Sequence, residues 1–178
     1  MSGPELRLIE PTETMIESYL DFMEDFRAAG EPPVFGTSGV TRENFSDFVR
    51  RLQENGSGVN LPEGWVPMTT YWLVRGKRII GTCNIRHRLS PSLEDFGGHI
   101  GYYVRPSERR KGVATQMLAM ALRIAWNMEI RRALLTCNSE NLASARVIRK
   151  NGGELASESY SPRSERMTQR YWITISPE

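Results

Sequence analysis

The 178-residue sequence predicts a single domain of the α/β class, a mixed α+β sheet with helices on its faces, and three observations carry that prediction. Segments with apolar residues at helical spacing are interleaved with segments rich in β-branched and aromatic residues, in the order β, α, α, β, β, β, α, β, α, β, β. Hydrophobic residues make up 39% of the chain and charged residues 25%, the balance of a globular protein with one sizeable core. Glycine, proline and asparagine close most of the periodic runs.

The elements follow in order. Leu6 and Leu8 alternate with polar neighbours in a short strand closed by Pro11. Met15, Ile16, Tyr19, Leu20, Met23 and Phe26 form the apolar stripe of a helix running from Thr12 to near Gly30. After a loop at Pro32 and Pro33, Thr41 is a suitable N-cap for a second helix, which carries Phe45, Phe48, Val49 and Leu52 and stops at Asn55, Gly56 and Gly58. From Val66 to Val74 β-branched and aromatic residues dominate, Arg75-Gly76-Lys77 turns the chain, and the second arm runs from Arg78 to Leu89 with one polar face. Ser90, Pro91 and Ser92 mark a loop before a third strand, Gly97 to Val104. A long amphipathic helix from Gly112 to Met128, an apolar strand from Ala133 to Cys137, a helix from Glu140 to Asn151-Gly152-Gly153 and two strands, Glu154 to Tyr160 and Arg170 to Ile175, complete the order.

Charge narrows the function. With 23 Lys and Arg against 21 Asp and Glu, the surplus of two is too small for a nucleic-acid binder, so an anion site must be local. No apolar run approaches the roughly 18 to 20 residues of a membrane span, and Met1 to Pro11 lack a charged start leading into an apolar stretch. A cytoplasmic protein without membrane or nucleic-acid partners is expected. Cys83 and Cys137 lie in apolar runs with no Cys or His at metal-ligand spacing, which predicts buried thiols and no metal.

The local cluster is Arg105 to Lys111, in which Arg105, Arg109, Arg110 and Lys111 face a single Glu108 at a strand-to-helix junction. Successive N–H groups at such a turn, continued by the free donors of a helix N-terminus, make an anion cradle, and Gly112 and Ala114 leave the backbone open to a phosphate. Cations at this end of a helix are unfavourable by roughly 0.3 to 1 kcal/mol each, a cost that a bound anion would offset. A solvated basic turn is the alternative. A P-loop fails for want of Gly-x-x-x-x-Gly-Lys-Ser/Thr, and Gly97-Gly98-x-x-Gly101 precedes a strand where a dinucleotide fingerprint needs a helix.

Arg109, Gly112 and Ala114, followed by an apolar strand, Asn138, and Asn141-Leu142-Ala143-Ser144, are the motifs through which the chain resembles a bacterial-type member of the GNAT superfamily of acetyl-CoA-dependent N-acetyltransferases. The resemblance implies the GNAT fold, a mostly antiparallel sheet of about six to seven strands with about four helices, over the whole of residues 1–178. It implies acetyl transfer to a small-molecule or peptide amine by direct attack in a ternary complex. A non-catalytic acyl-CoA-binding domain of the same fold is the alternative. The CoA diphosphate would lie on the N–H groups of Arg109, Arg110, Lys111, Gly112, Val113, Ala114 and Thr115. The pantetheine arm would pair with the backbone of Tyr102, Tyr103 and Val104, and Asn138, Asn141 and Ser144 would line the other side. Capping of the following helix is the competing role for the asparagines.

A lysine-like amine with pKa near 10.4 needs about 4 to 5 kcal/mol to become neutral at pH 7. His99 stands where many members of the superfamily carry a glutamate and is the candidate base; a strand histidine bonded to a neighbour is the alternative. Ile148 occupies the position at which many members place a tyrosine acid, so Tyr102, Tyr103 or solvent becomes the candidate proton donor, since a CoA thiol of pKa near 8.5 can leave as a thiolate. The acceptor pocket is expected between the tandem helices and the hairpin, where Trp65, Tyr71, Trp72, Arg86, His87 and Arg88 gather, with Arg86 and His87 able to hold a carboxylate or phosphate and Trp72 equally suited to the core. Arg163, Arg166 and Arg170 read as a solvated face, and exposed sheet edges admit a homodimer.

Overall fold

A computed structural model describes residues 5–32, 34 and 36–176, so Pro33, one of the two prolines expected in the first interhelical loop, and Met1–Pro4 of the N-terminal stretch lie outside the described residues. The chain runs through β1 (Leu6–Ile9), α1 (Ile16–Ala28), α2 (Phe45–Ser57), β2 (Met68–Arg75), β3 (Arg78–Arg86), α3 (Pro91–Asp95), β4 (Ile100–Val104), α4 (Val113–Asn127), β5 (Arg132–Asn138), α5 (Leu142–Lys150), β6 (Glu154–Ser161) and β7 (Arg166–Thr174). The expected order holds, with one addition: the Ser90-Pro91-Ser92 loop winds into α3, a single turn started by a proline whose fixed φ suits the first helical position.

Two helix starts move inward. Asn44 folds back, accepting the Thr41 N–H at 2.8 Å and donating to Gly39 O at 2.8 Å, so α2 begins at Phe45 instead of capping on Thr41. Asn141 accepts the Ser144 N–H at 3.0 Å, and α5 starts after it.

The mixed sheet is divided. Seven strands form two antiparallel sheets, ordered β1-β2-β3-β4 and β5-β7-β6. On one face of the first sheet, α1 and α2 enclose an aromatic cluster of Tyr19, Phe22, Phe45, Phe48 and Trp72, with Tyr19 and Trp72 ring centres 5.3 Å apart. On the other face, Met117, Leu118 and Ala121 of α4 cover Leu73, Ile80 and Cys83 of the first sheet together with Leu135 and Tyr171 of the second, so one core spans both sheets. The closeness of this packing requires Gly81, where a Cβ would come within 2.9 Å of Tyr103 O and 3.1 Å of Met117 Sδ. Both cysteines are buried thiols. Among the described residues no helix is long and apolar enough to cross a membrane.

Candidate active site

The two sheets touch through the segment before β4. His99 N donates to Leu134 O at 2.7 Å, Leu134 N donates to His99 Nδ1 at 2.9 Å, and Gly97 N donates to Thr136 Oγ1 at 2.8 Å. Gly98 makes the approach possible, because a Cβ there would lie 2.3 Å from Leu134 O. Beyond this junction the sheets part around a cleft of about 650 Å³, with Ile100–Tyr103 on one wall and Leu135–Asn138, Asn141 and Ser144 on the other.

The antiparallel pairing of β3 and β4 decides which backbone groups reach that cleft. Arg105 N donates to Ile80 O at 3.0 Å and Arg86 N donates to His99 O at 2.8 Å. Hydrogen-bonded pairs alternate along such a ladder, so Gly101 and Tyr103 bond to β3, while Ile100, Tyr102 and Val104 turn their N–H and C=O groups the other way. Val104 O is taken by Arg109 Nε at 3.0 Å, which leaves Tyr102 N–H and C=O and Val104 N–H as the free edge. Tyr103, expected to contribute its backbone, contributes instead a side chain that lines the cleft and is 38% exposed.

At the end of β4 the chain makes a tight turn and enters α4. Arg109 N donates to Pro106 O at 3.2 Å and Gln116 N to Gly112 O at 3.2 Å. Between them, the N–H groups of Arg110, Lys111, Gly112, Val113, Ala114 and Thr115 meet no acceptor among the described residues. Six successive donors at a helix N-terminus, with Gly112 at φ 76° and no atom within 4 Å of where its Cβ would be, make a concave site for an anion. Arg109 is thus removed from the expected cradle.

The cationic side chains expected to surround the anion are already engaged. Arg105 is 2% exposed and donates to Asp25 at 2.7 Å and Asp21 at 2.8 Å, both on α1. Arg109 forms a bidentate pair with Glu31, one arm at 2.8 Å. Glu108 is buried and bonds Arg75 at 2.9 Å and Arg78 at 3.1 Å, with Lys111 at 3.5 Å. Burial pushes the Glu108 and Asp25 carboxyls up, but the guanidinium and hydroxyl donors around them prevail and hold both below the usual range. The surplus of three within the sequence window is therefore neutralised by acids far away in the chain, and Arg110, at φ 64°, is the member with no acid partner among the described residues.

The expected base is corrected as well. A backbone N–H can only donate, so Nδ1 of His99 holds its lone pair against Leu134 and the ring proton sits on Nε2. Burial and the nearby Arg86 push the imidazole down to about 4, which keeps it neutral, and Trp172 meets the ring edge-on at 6.2 Å. With its one acceptor nitrogen occupied, His99 joins the sheets and takes no proton.

Tyr102 and Ser144 meet across the cleft, hydroxyl to hydroxyl, at 3.0 Å. Burial pushes the Tyr102 phenol up to about 12, so it is protonated at neutral pH. Ser144 lies one helical turn before Ile148, which is buried in the core and also borders the cleft. Asn138 accepts the Glu140 N–H at 3.1 Å, and with Asn141 it caps the α5 entry while facing the cleft.

Of the expected acceptor residues, Arg86 lines the cleft, its guanidinium donating to Gly97 O at 3.0 Å and Gly98 O at 3.2 Å. His87 is brought to neither cavity and meets Thr69 Oγ1 at 2.8 Å, which corrects its assignment to acceptor binding. Trp72, 1% exposed, belongs to the aromatic cluster and presents an edge to a second cavity, of about 170 Å³, between α1, α2 and the β2–β3 hairpin. Asn84 borders both cavities. Its place on the polar face of β3 was visible in the alternation; its position beside both was not. Arg163 and Arg166 are exposed, as expected of a solvated face, and also border the cleft, whereas Arg170 is held by Asp95 at 2.6 Å.

A model of the acetyltransferase (GNAT) domain matches residues 5–154. The chain belongs to the GNAT acetyltransferase family. This GNAT protein is an N-acetyltransferase, and no curated protein matches its sequence. Among solved structures it is similar to RimL, a ribosomal L7/L12 α-N-protein acetyltransferase in complex with coenzyme A, at 17% identity over 96% of this chain and 94% of that one, with a TM-score of 0.70. It is also similar to the microcin C7 self-immunity acetyltransferase MccE in complex with acetyl-CoA and AMP, at 12% identity over 96% and 93%, TM-score 0.71. Mycobacterium smegmatis RimJ in complex with a CoA disulfide shares 17% identity over 95% and 81%, TM-score 0.70. At these identities the likeness shows the fold.

Proposed function

We propose that this GNAT enzyme transfers the acetyl group of acetyl-CoA to the amine of a small molecule or peptide within a ternary complex. The observation that carries the reading is the run of six free N–H donors from Arg110 to Thr115, set at the mouth of a cleft with a free strand edge along one wall. When bound, acetyl-CoA supplies an activated thioester carbonyl. The six donors hold its diphosphate, and Tyr102 and Val104 offer their free backbone groups to the pantetheine arm as an added strand would. Asn138, Asn141 and Ser144 form the opposite wall. A backbone N–H of this β4 edge would be the donor that stabilises charge developing on the thioester carbonyl.

Tyr102 would give its proton to the departing sulfur and be reprotonated by the one the attacking nitrogen loses as the amide forms. Its hydroxyl is protonated, lies in the cleft and reaches Ser144 one turn from Ile148, so the phenol arrives from β4 where other members bring it from the helix. Amine deprotonation does not use His99, whose acceptor nitrogen is occupied. The cavity that receives the acceptor contains no charged side chain among the described residues, which favours entry of the neutral amine from solvent.

The test is release of CoA thiol over an amine panel, run beside direct measurement of acetyl-CoA binding. Binding with acceptor-dependent release is the expected result. Tight acetyl-CoA binding with no release for any amine would replace this reading with that of an acyl-CoA-binding domain.

A further inference from the structure

Resting on the transferase reading, the second cavity speaks to the class of acceptor. Its volume of about 170 Å³ is close to that of an apolar cavity that accommodates one benzene-sized ring. Tyr19, Phe48, Trp65 and Trp72 contribute aromatic surface, and Thr70 and Asn84 lie toward the cleft, Thr70 Oγ1 donating to Asn84 Oδ1 at 2.9 Å. No Asp, Glu, Lys, Arg or His lines it among the described residues. A polyamine would need carboxylates here, and an acidic acceptor would need cations. Trp65, 51% exposed at the rim, leaves an apolar entrance.

We infer that the acceptor is a primary amine on an uncharged, apolar body about the size of a single ring. The amine points past Asn84 into the cleft, toward the thioester. The neutral wall then selects at once for the body of the acceptor and for the unprotonated nitrogen.

The probes are 2-phenylethylamine, its para-hydroxylated analogue tyramine, spermidine, and a short peptide with a free N-terminus and an acidic second residue. Thiol release is measured for each, and binding of each to the CoA-loaded protein is followed by calorimetry, so the cavity is tested even where no turnover occurs. Both aromatic amines are expected to exceed spermidine and the peptide in kcat/KM by about tenfold or more. Leu52→Trp, which fills the cavity from the partly buried face of α2, should weaken both aromatic amines and leave acetyl-CoA binding intact. Preference for spermidine or the peptide, or aromatic amines unaffected by Leu52→Trp, would overturn the inference. Binding of the aromatic amines without thiol release from any acceptor would keep the cavity assignment and overturn the transferase reading.

Discussion

The two ends of β4 each bury an ionisable side chain, and they treat it in opposite ways. At the C-terminal end Arg105 stays charged, gripped by Asp21 and Asp25 from α1 and bonded also to Ile79 O at 3.1 Å. At the N-terminal end His99 stays neutral, its Nδ1 turned to a backbone N–H. One ties the first sheet to its helix and the other ties the first sheet to the second. Neither side chain lines the proposed acetyl-CoA cleft. The cleft walls instead carry backbone donors and hydroxyls beside the guanidiniums of Arg86, Arg163 and Arg166.

The strongest way to break this comparison is at Arg105. Arg105→Ala removes a guanidinium that is 3% exposed in its side chain and strands the Asp25 carboxylate, so a loss of about 3 to 5 kcal/mol is expected in urea denaturation. Arg105→Lys should recover only part of it, because an ammonium cannot span both carboxylates. A loss under about 1 kcal/mol would mean that the pair is as dispensable as a surface bridge.

Tyr102→Phe tests the neutral side of the comparison. It should lower kcat by about 100-fold, the low end for a general acid, with little change in acetyl-CoA affinity. An acceptor panel that shows unchanged kcat would move protonation of the thiolate to solvent, which a CoA thiol of pKa near 8.5 permits.

His99→Leu should cost about 1 to 3 kcal/mol by leaving the Leu134 N–H without an acceptor. The sign with pH follows from the depressed value. Unfolded chains take up a proton at this histidine below about 6.5, whereas the native state resists until about 4, so stability is full above 6.5 and falls as the pH drops through that window, by up to about 3 kcal/mol. Denaturation of the wild type between pH 4 and 7 should show this slope and the variant should lose it. The pH–rate profile at saturating amine should carry no inflection from His99 near neutrality.

The smallest effect is expected at Arg110, the cation without an acid partner. Arg110→Gly relieves a positive φ of 64° and should stabilise by up to about 1 kcal/mol, while acetyl-CoA affinity falls a few-fold and becomes less sensitive to salt. Unaltered salt dependence would place the side chain outside the field of the diphosphate.

Much of this was legible in the sequence because it rests on local rules. Periodicity, capping residues and turn glycines act over a few residues, so the order of elements from Leu6 to Thr174 and the strand-to-helix junction at Gly112 could be read directly. The Asn141 turn was legible for the same reason, since its carboxamide acts on a donor three residues on. What stayed hidden depended on partners distant in sequence. The basic turn looked unbalanced because Asp21, Asp25 and Glu31 lie about 80 residues before it. His99 looked like a base because the Leu134 N–H that fills its lone pair belongs to another sheet. That the exposed Arg163 also borders the cleft stayed hidden because no local pattern encodes where the β6–β7 loop packs.

By itself, then, the sequence determined the family resemblance, the helix N-terminus that presents the donors and the alternation that places Asn84, Tyr102 and Tyr103 on their faces. Tertiary structure decided which side chains remain available to a ligand. Charge and lone pairs are used up by whatever folding brings within about 3 Å, and that neighbourhood is set by the packing of α1 and two sheets, not by spacing along the chain.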